Sequence, residues 1–179
     1  NERSIFSFLN SGEPNGFLYF LQHQESKNGI YTLDKLFDYL QVNLEPSILV
    51  SNIGQAWSEA ADSIRRAESL DSEDVIKVTK CISIIDLFGK NISLFPSKDI
   101  LGYSLNLSQN KLNKILKDLE NKKIIVFRKF KDAYALFSGS DIDLDEVTEL
   151  NKSKIKDDYD IILSQLPQLQ PIVAKKHFH

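Results

Sequence analysis

The chain contains a single cysteine, Cys81, and no methionine, so no disulfide can form within it. A lone cysteine in an apolar helical stretch reads as a small core residue, and a reducing, cytoplasmic location is expected. Glycine is scarce, at seven residues. A P-loop, GxxxxGK followed by Ser or Thr, surrounds phosphates with backbone N–H groups and a lysine. The nearest segment, Gly89-Lys90-Asn91, lacks both the earlier glycine and the hydroxyl, so ATP hydrolysis by these residues alone is not expected. Histidine is equally sparse: after His23 come only His177 and His179. That leaves no Ser-His-Asp relay, and two histidines at i, i+2 with no Cys or Asp nearby fall short of a metal set. No enzyme active site, metal or cofactor is therefore expected within these residues. The best apolar run, Cys81 to Phe88, is interrupted by Ser83 and Asp86. It falls far below the roughly 20 residues that cross a bilayer, so no membrane partner is expected. No apolar signal-like segment follows Asn1, and the chain reads as a piece of something longer. No repeat or low-complexity tract is visible.

What is present is the composition of a globular protein: 179 residues, 42% apolar and 26% charged, enough for one large domain or two small ones. The net charge of −3 hides an asymmetry. Residues 1 to 104 carry nine basic and fourteen acidic side chains, 105 to 132 carry eight and three, and 133 to 179 carry five and eight. The three segments therefore sum to −5, +5 and −3, with positive charge concentrated between acidic flanks.

The first seventy residues read as wholly helical. Ile5, Phe8 and Leu9 have helical spacing before Ser11-Gly12-Glu13-Pro14, and Phe17, Leu18, Phe20 and Leu21 make a second short helix. Thr32 to Leu44 carries a Leu33, Leu36, Phe37, Leu40 stripe with Thr32 as N-cap, and Pro46 marks a fresh start. Residues 47 to 69 then place Ile53, Ala56, Trp57, Ala60, Ala61 and Ile64 on one face, with Trp57 as a core anchor. Leu70 to Asp74 is the expected domain boundary.

Next come a helix at 75 to 88 with Gly89 as C-cap, a minimal strand at Ile92-Ser93-Leu94, and a short helix capped by Ser97. A longer helix, Gln109 to Asn121, is capped by Ser108 and has Leu112, Ile115, Leu116 and Leu119 inward. A hairpin pairs 124 to 130 with 133 to 137 through Lys131-Asp132. Helix, helix, helix, hairpin is the order of a winged helix. The expected fold is thus mainly α with a small β-hairpin: a helical domain at 1–70, a winged-helix (helix-turn-helix) domain at 71–137, and a truncated helical extension at 138–179. In that extension Asp141, Asp143, Asp145 and Glu146 alternate like a calcium loop. Glu146 stands where the loop needs glycine and Lys152 where it needs an acid, so a solvated helix start is the better reading.

The constellation with functional content is basic: Lys111, Lys114, Lys117, Lys122, Lys123, Arg128, Lys129 and Lys131. A lysine-bearing helix and a basic wing tip can straddle a duplex phosphate backbone. The same lysines can also serve as a solvated or protein-docking face, since only Asn110 and Asn113 offer base-reading amides on the helix.

Two stretches resemble a known family. They are Asn1-Glu2-Arg3-Ser4 with Phe6-Ser7-Phe8-Leu9 and Glu13-Pro14, and Phe127-Arg128-Lys129-Phe130-Lys131-Asp132-Ala133-Tyr134 with Phe137-Ser138-Gly139-Ser140-Asp141-Ile142-Asp143. The chain resembles the region that follows the nucleotide-binding domain in large bacterial P-loop ATPases of the AAA+/STAND type, some of which belong to phage-defence loci. The resemblance implies a helical lid and a winged helix that relay nucleotide or ligand state, with the upstream ATPase domain as partner. ATP and Mg would then belong to the parent protein, and Arg3, or else Arg65 or Arg66, would reach a nucleotide phosphate. Two functions follow as expectations: a non-catalytic coupling module of such an ATPase, or a DNA-binding winged helix with helix 109–121 and the wing on the duplex backbone.

Overall fold

The computed structural model describes residues 5–23, 29–137, 139 and 151. The chain divides into two units, Asn1–Gly139 and Ser140–His179, and the elements below belong to the first. Arg3, the acid-rich stretch from Asp141, the helix expected to run to about Leu166 and the terminal histidines lie outside the described residues. The described residues are mainly helical, with one two-stranded antiparallel sheet.

α1 (Ile5–Leu9) and α2 (Phe17–His23) are too short to hold themselves together in water. Aromatic edges fix them instead: Phe8 meets Tyr31 at 5.5 Å and Tyr39 at 5.0 Å between ring centroids, and Phe20 meets Tyr31 at 5.4 Å. The Tyr31 hydroxyl donates to the Asn15 carbonyl at 2.5 Å.

α3 (Leu33–Leu49) runs through Pro46, where the sequence predicts a stop at Leu44 and a new start. The proline ring removes one N–H, whose acceptor would be the Val42 carbonyl. Val42 is 62% exposed, so water can satisfy that carbonyl and the helix continues. Thr32 holds the N-cap position, but its side chain makes no cap bond. After a turn at 50–53, α4 (Gly54–Glu68) begins at a glycine, because a β-carbon there would collide with the Leu49 carbonyl oxygen. Its buried stripe is Trp57, Ala60, Ile64 and Ala67, while Ala56, expected inward, is exposed. Phe37, Trp57, Ile64 and Ile84 form one core. The Phe37 and Trp57 rings stack at 4.7 Å, and Trp57 Nε1 donates to Glu45 Oε1 at 3.1 Å.

α5 (Glu73–Phe88) is apolar on more than one side, the mark of a helix enclosed by neighbours. Ile84 enters the first core, whereas Val75, Val78, Cys81, Ile82 and Ile85 enter a second one. The buried Thr79 and Ser83 hydroxyls donate back to the Val75 and Thr79 carbonyls, both at 2.8 Å, so neither is left unsatisfied. The strand predicted at 92–94 does not form. Gly89–Ile92 is a 3-10 turn, Ser93 is left-handed (φ 54), and the Leu94 N–H curls back to the Gly89 carbonyl at 3.0 Å. Gly89 is the C-cap of α5 as expected, in right-handed conformation (φ −74), its N–H donating to the Ile85 carbonyl. It is there because a β-carbon would meet the Leu94 carbonyl.

α6 (Lys98–Leu105) is capped as expected: Ser97 Oγ accepts from the Ile100 N–H at 3.4 Å. Asn106, left-handed at φ 51, opens the three-residue turn into α7 (Gln109–Asn121). Ser108 takes the N-cap position of α7 without a side-chain bond. β1 (Ile125–Arg128) pairs antiparallel with β2 (Ala133–Leu136), Phe127 opposite Tyr134. The strands are shorter than predicted because Lys129–Lys131 make a 3-10 turn closed by left-handed Asp132 (φ 48). On the other side of β2, the Tyr134 N–H donates to the Pro96 carbonyl at 3.0 Å. Leu101, Leu112, Leu116, Leu119, Ile124 and Tyr134 complete the second core.

Candidate binding surface of the basic segment

The eight basic residues singled out in the sequence do not converge on one face. Burial of Leu112, Ile115, Leu116 and Leu119 fixes the rotation of α7. At 100° per residue, Lys114 and Lys117 then point outward beside Asn110 and Asn113, and all four are exposed. Lys111 lies on the flank facing α5, its Nζ 2.5 Å from Asp74 Oδ2. Lys122 caps the C-terminus of α7 and, with Lys111 and Lys114, lines a cleft of about 560 Å³ that also receives Asp74 and Asp118. Lys123 follows in the left-handed region (φ 53).

In the hairpin the charges are treated differently. Arg128 is half-buried and, with Lys131, lines a small hollow beside Asp86 and Tyr134. Lys131 Nζ sits 5.0 Å from the Phe130 ring centre and 5.7 Å from that of Phe95, so its charge is held on aromatic faces. Lys129 is exposed at the turn. The outward cations of the segment are thus Lys114, Lys117, Lys122, Lys123 and Lys129.

Three features escape the sequence reading. Arg66, on α4, donates through Nη1 to the Lys123 carbonyl at 3.1 Å and through Nη2 to Ser63 Oγ at 3.0 Å and the Phe137 carbonyl at 3.5 Å. It therefore ties α4 to the open end of the hairpin, where the chain enters β1 and leaves β2. Its neighbour Arg65 instead pairs with Asp62 at 2.9 Å on the open surface, and nothing in the sequence separates the two. Lys80 of α5 meets Asp38 of α3 at 2.5 Å, both side chains partly buried. Tyr103, on α6, is 92% exposed. Its signal was present: it falls outside the Ile100, Leu101, Leu105 core spacing.

Burial pushes the Cys81 thiol up to about 12, with the Asp34 carboxylate adding to the effect. A protonated, fully buried thiol is no nucleophile. Among the described residues no group of three or more His, Cys, Asp or Glu side chains is placed to hold a metal ion, and no helix is long and apolar enough to cross a membrane. No protein-family model matches the chain, and neither does any curated protein or solved structure.

Proposed function

We propose that the chain is a non-catalytic coupling module of a larger cytoplasmic P-loop ATPase, in which a helical lid and a winged helix relay nucleotide or ligand state. The observation that carries this reading is the placement of α5, which contributes Ile84 to the core of α3 and α4 and Val78, Ile82 and Ile85 to the core of α6, α7 and the hairpin. A displacement of the first core is carried into the second by a helix they share, because packed cores transmit strain instead of absorbing it. Arg66 and the Lys80–Asp38 pair reinforce the same connection. The winged-helix assignment is supported by the helix order, the three-residue turn between α6 and α7, and the Pro96–Tyr134 bond, which places the segment before α6 alongside the hairpin. The relay itself would be a population shift between two arrangements of this module against the ATPase domain.

The test is ATP turnover by the longer protein carrying an upstream P-loop domain, with and without Arg66→Ala. Loss of the α4–hairpin tie should change the rate about two- to thirtyfold, the range of coupling energies carried by single residues away from both sites. An unchanged rate in a folded variant would count against the relay.

A further inference from the structure

We infer that the outward side of α3, over its C-terminal half, is the surface through which two copies of this chain pair about a two-fold axis. The inference stands apart from the ATPase reading, since it uses neither Arg66 nor the division of α5 between two cores. Leu33, Leu36, Phe37, Leu40 and Ile48 of α3 pack into the first core. At 100° per residue, Lys35, Tyr39, Val42, Pro46 and Leu49 fall on the opposite side. The first two are covered: the Lys35 ammonium lies over the Phe20 ring of α2, 5.3 Å from its centre, and the Tyr39 ring packs on Phe8 of α1. Beyond them that side is bare among the described residues. Val42 is 62% exposed, Leu49 48% and Val50, just past the last turn, 87%, with Pro46 exposed between them. Single exposed apolar side chains are ordinary, but a row of them at i, i+4, i+7 and i+8 is a contact surface left open.

The composition around the row identifies its occupant. From Pro46 to Ser58 the chain carries no charged residue, and Glu45 at the edge is committed to the Trp57 indole at 3.1 Å. A charged partner would lose its hydration here without compensation. The matching surface is apolar at its centre and neutral at its rim. The same surface of a second copy meets both conditions, and two neutral faces can meet without repulsion although each chain carries a net −3. One polar demand remains. Pro46 leaves the Val42 carbonyl without its helical donor, and covering it with apolar side chains alone would strand it. Gln41, Ser47 and Asn52, exposed beside the row, are the uncharged donors that a second copy brings to it. The surface is also set in advance. Ser51 Oγ donates to the Ile48 carbonyl at 2.6 Å and accepts from the Ile53 N–H at 3.3 Å, while a β-carbon at Gly54 would strike the Leu49 carbonyl, so Val50 is held in a fixed turn. The row and its rim fall well short of the 20–30 or so residues a side of a stable interface, so the pair is weak and forms at about 10–300 µM.

The experiment is sedimentation velocity of the 179-residue chain from about 5 to 500 µM, at about 50 and 300 mM salt. A single step from one chain to two is expected, with no larger species because a two-fold contact closes on itself, and with no response to salt because no ion pair forms. Val42→Glu/Val50→Glu sets carboxylates in the centre of the contact and should weaken pairing about tenfold or more. Both positions are more than half exposed, so the fold is retained, and an unchanged Trp57 emission maximum checks it. Val50→Glu alone, at the more exposed position, should weaken pairing in the same direction. Asn110→Glu/Asn113→Glu, the same charge change on exposed positions of α7, should leave pairing as it was. The proposal is overturned by a chain that stays single at the highest concentration, by association that fades with salt, by assemblies larger than two, or by equal losses in the α3 and α7 variants.

Discussion

Arg66 and Cys81 show how differently adjacent chemistry can be used at the residue scale. Arg66 makes bonds to backbone carbonyls of residues that lie 57 and 71 positions away in sequence, a role that no local pattern announces. Cys81 matches the sequence expectation of a core residue, since its apolar neighbours predict burial and it is 0% exposed. Its environment makes a pH prediction. Burial holds Cys81 and Tyr134 up to about 12 and raises Tyr31 as well. The unfolded thiol and phenols titrate near 8.5 and 10 or so, so the folded form keeps these protons to higher pH. The stabilisation is complete below about pH 8.5 and is lost as pH rises toward 12 or so. Urea midpoints measured from pH 7 upward should therefore fall above about pH 8.5, and the first part of that fall should vanish in Cys81→Ala. A midpoint that stays level or rises would show the thiol is not held protonated by the fold.

Among the elements, those with strong periodicity were legible and those shaped by close approach were not. The four inward residues of α7 are spaced at i, i+3, i+4, i+7, and they alone define its rotation. The hairpin was legible from its β-branched and aromatic run, but its length was not, because the 3-10 turn depends on Asp132 adopting a left-handed conformation. Ile92-Ser93-Leu94 looks like a strand by composition and is bent by bonds back to Gly89 and Lys90, a backbone arrangement that side-chain pattern does not encode. Pro46 departs from expectation for a related reason: a proline rule that holds in a buried helix is relaxed where the residue left with the orphaned carbonyl, Val42, is exposed. Pro46→Ala should accordingly stabilise the chain by about 1–3 kcal/mol, restoring one N–H and removing the ring clash. Thermal unfolding checks this. A loss of stability would mean that the proline ring makes packing contributions larger than the missing bond.

For the whole molecule, the essential arrangement is that two hydrophobic cores share α5, and this is what the proposed relay depends on. The sequence shows that α5 is apolar but not that its faces are divided between cores, because that division is decided by which helices approach from each side. Trp57 is the single tryptophan and sits at 0% exposure in the first core, while Leu116, 1% exposed, belongs to the second. The most direct measurement is urea unfolding of the 179-residue chain followed by Trp57 fluorescence, with and without Leu116→Ala. If α5 joins the cores into one cooperative body, the cavity left in the second core lowers the Trp57 midpoint by the equivalent of about 2–5 kcal/mol. A Trp57 transition that does not move when Leu116 is truncated would contradict the account, since the first core would then unfold without regard to the second.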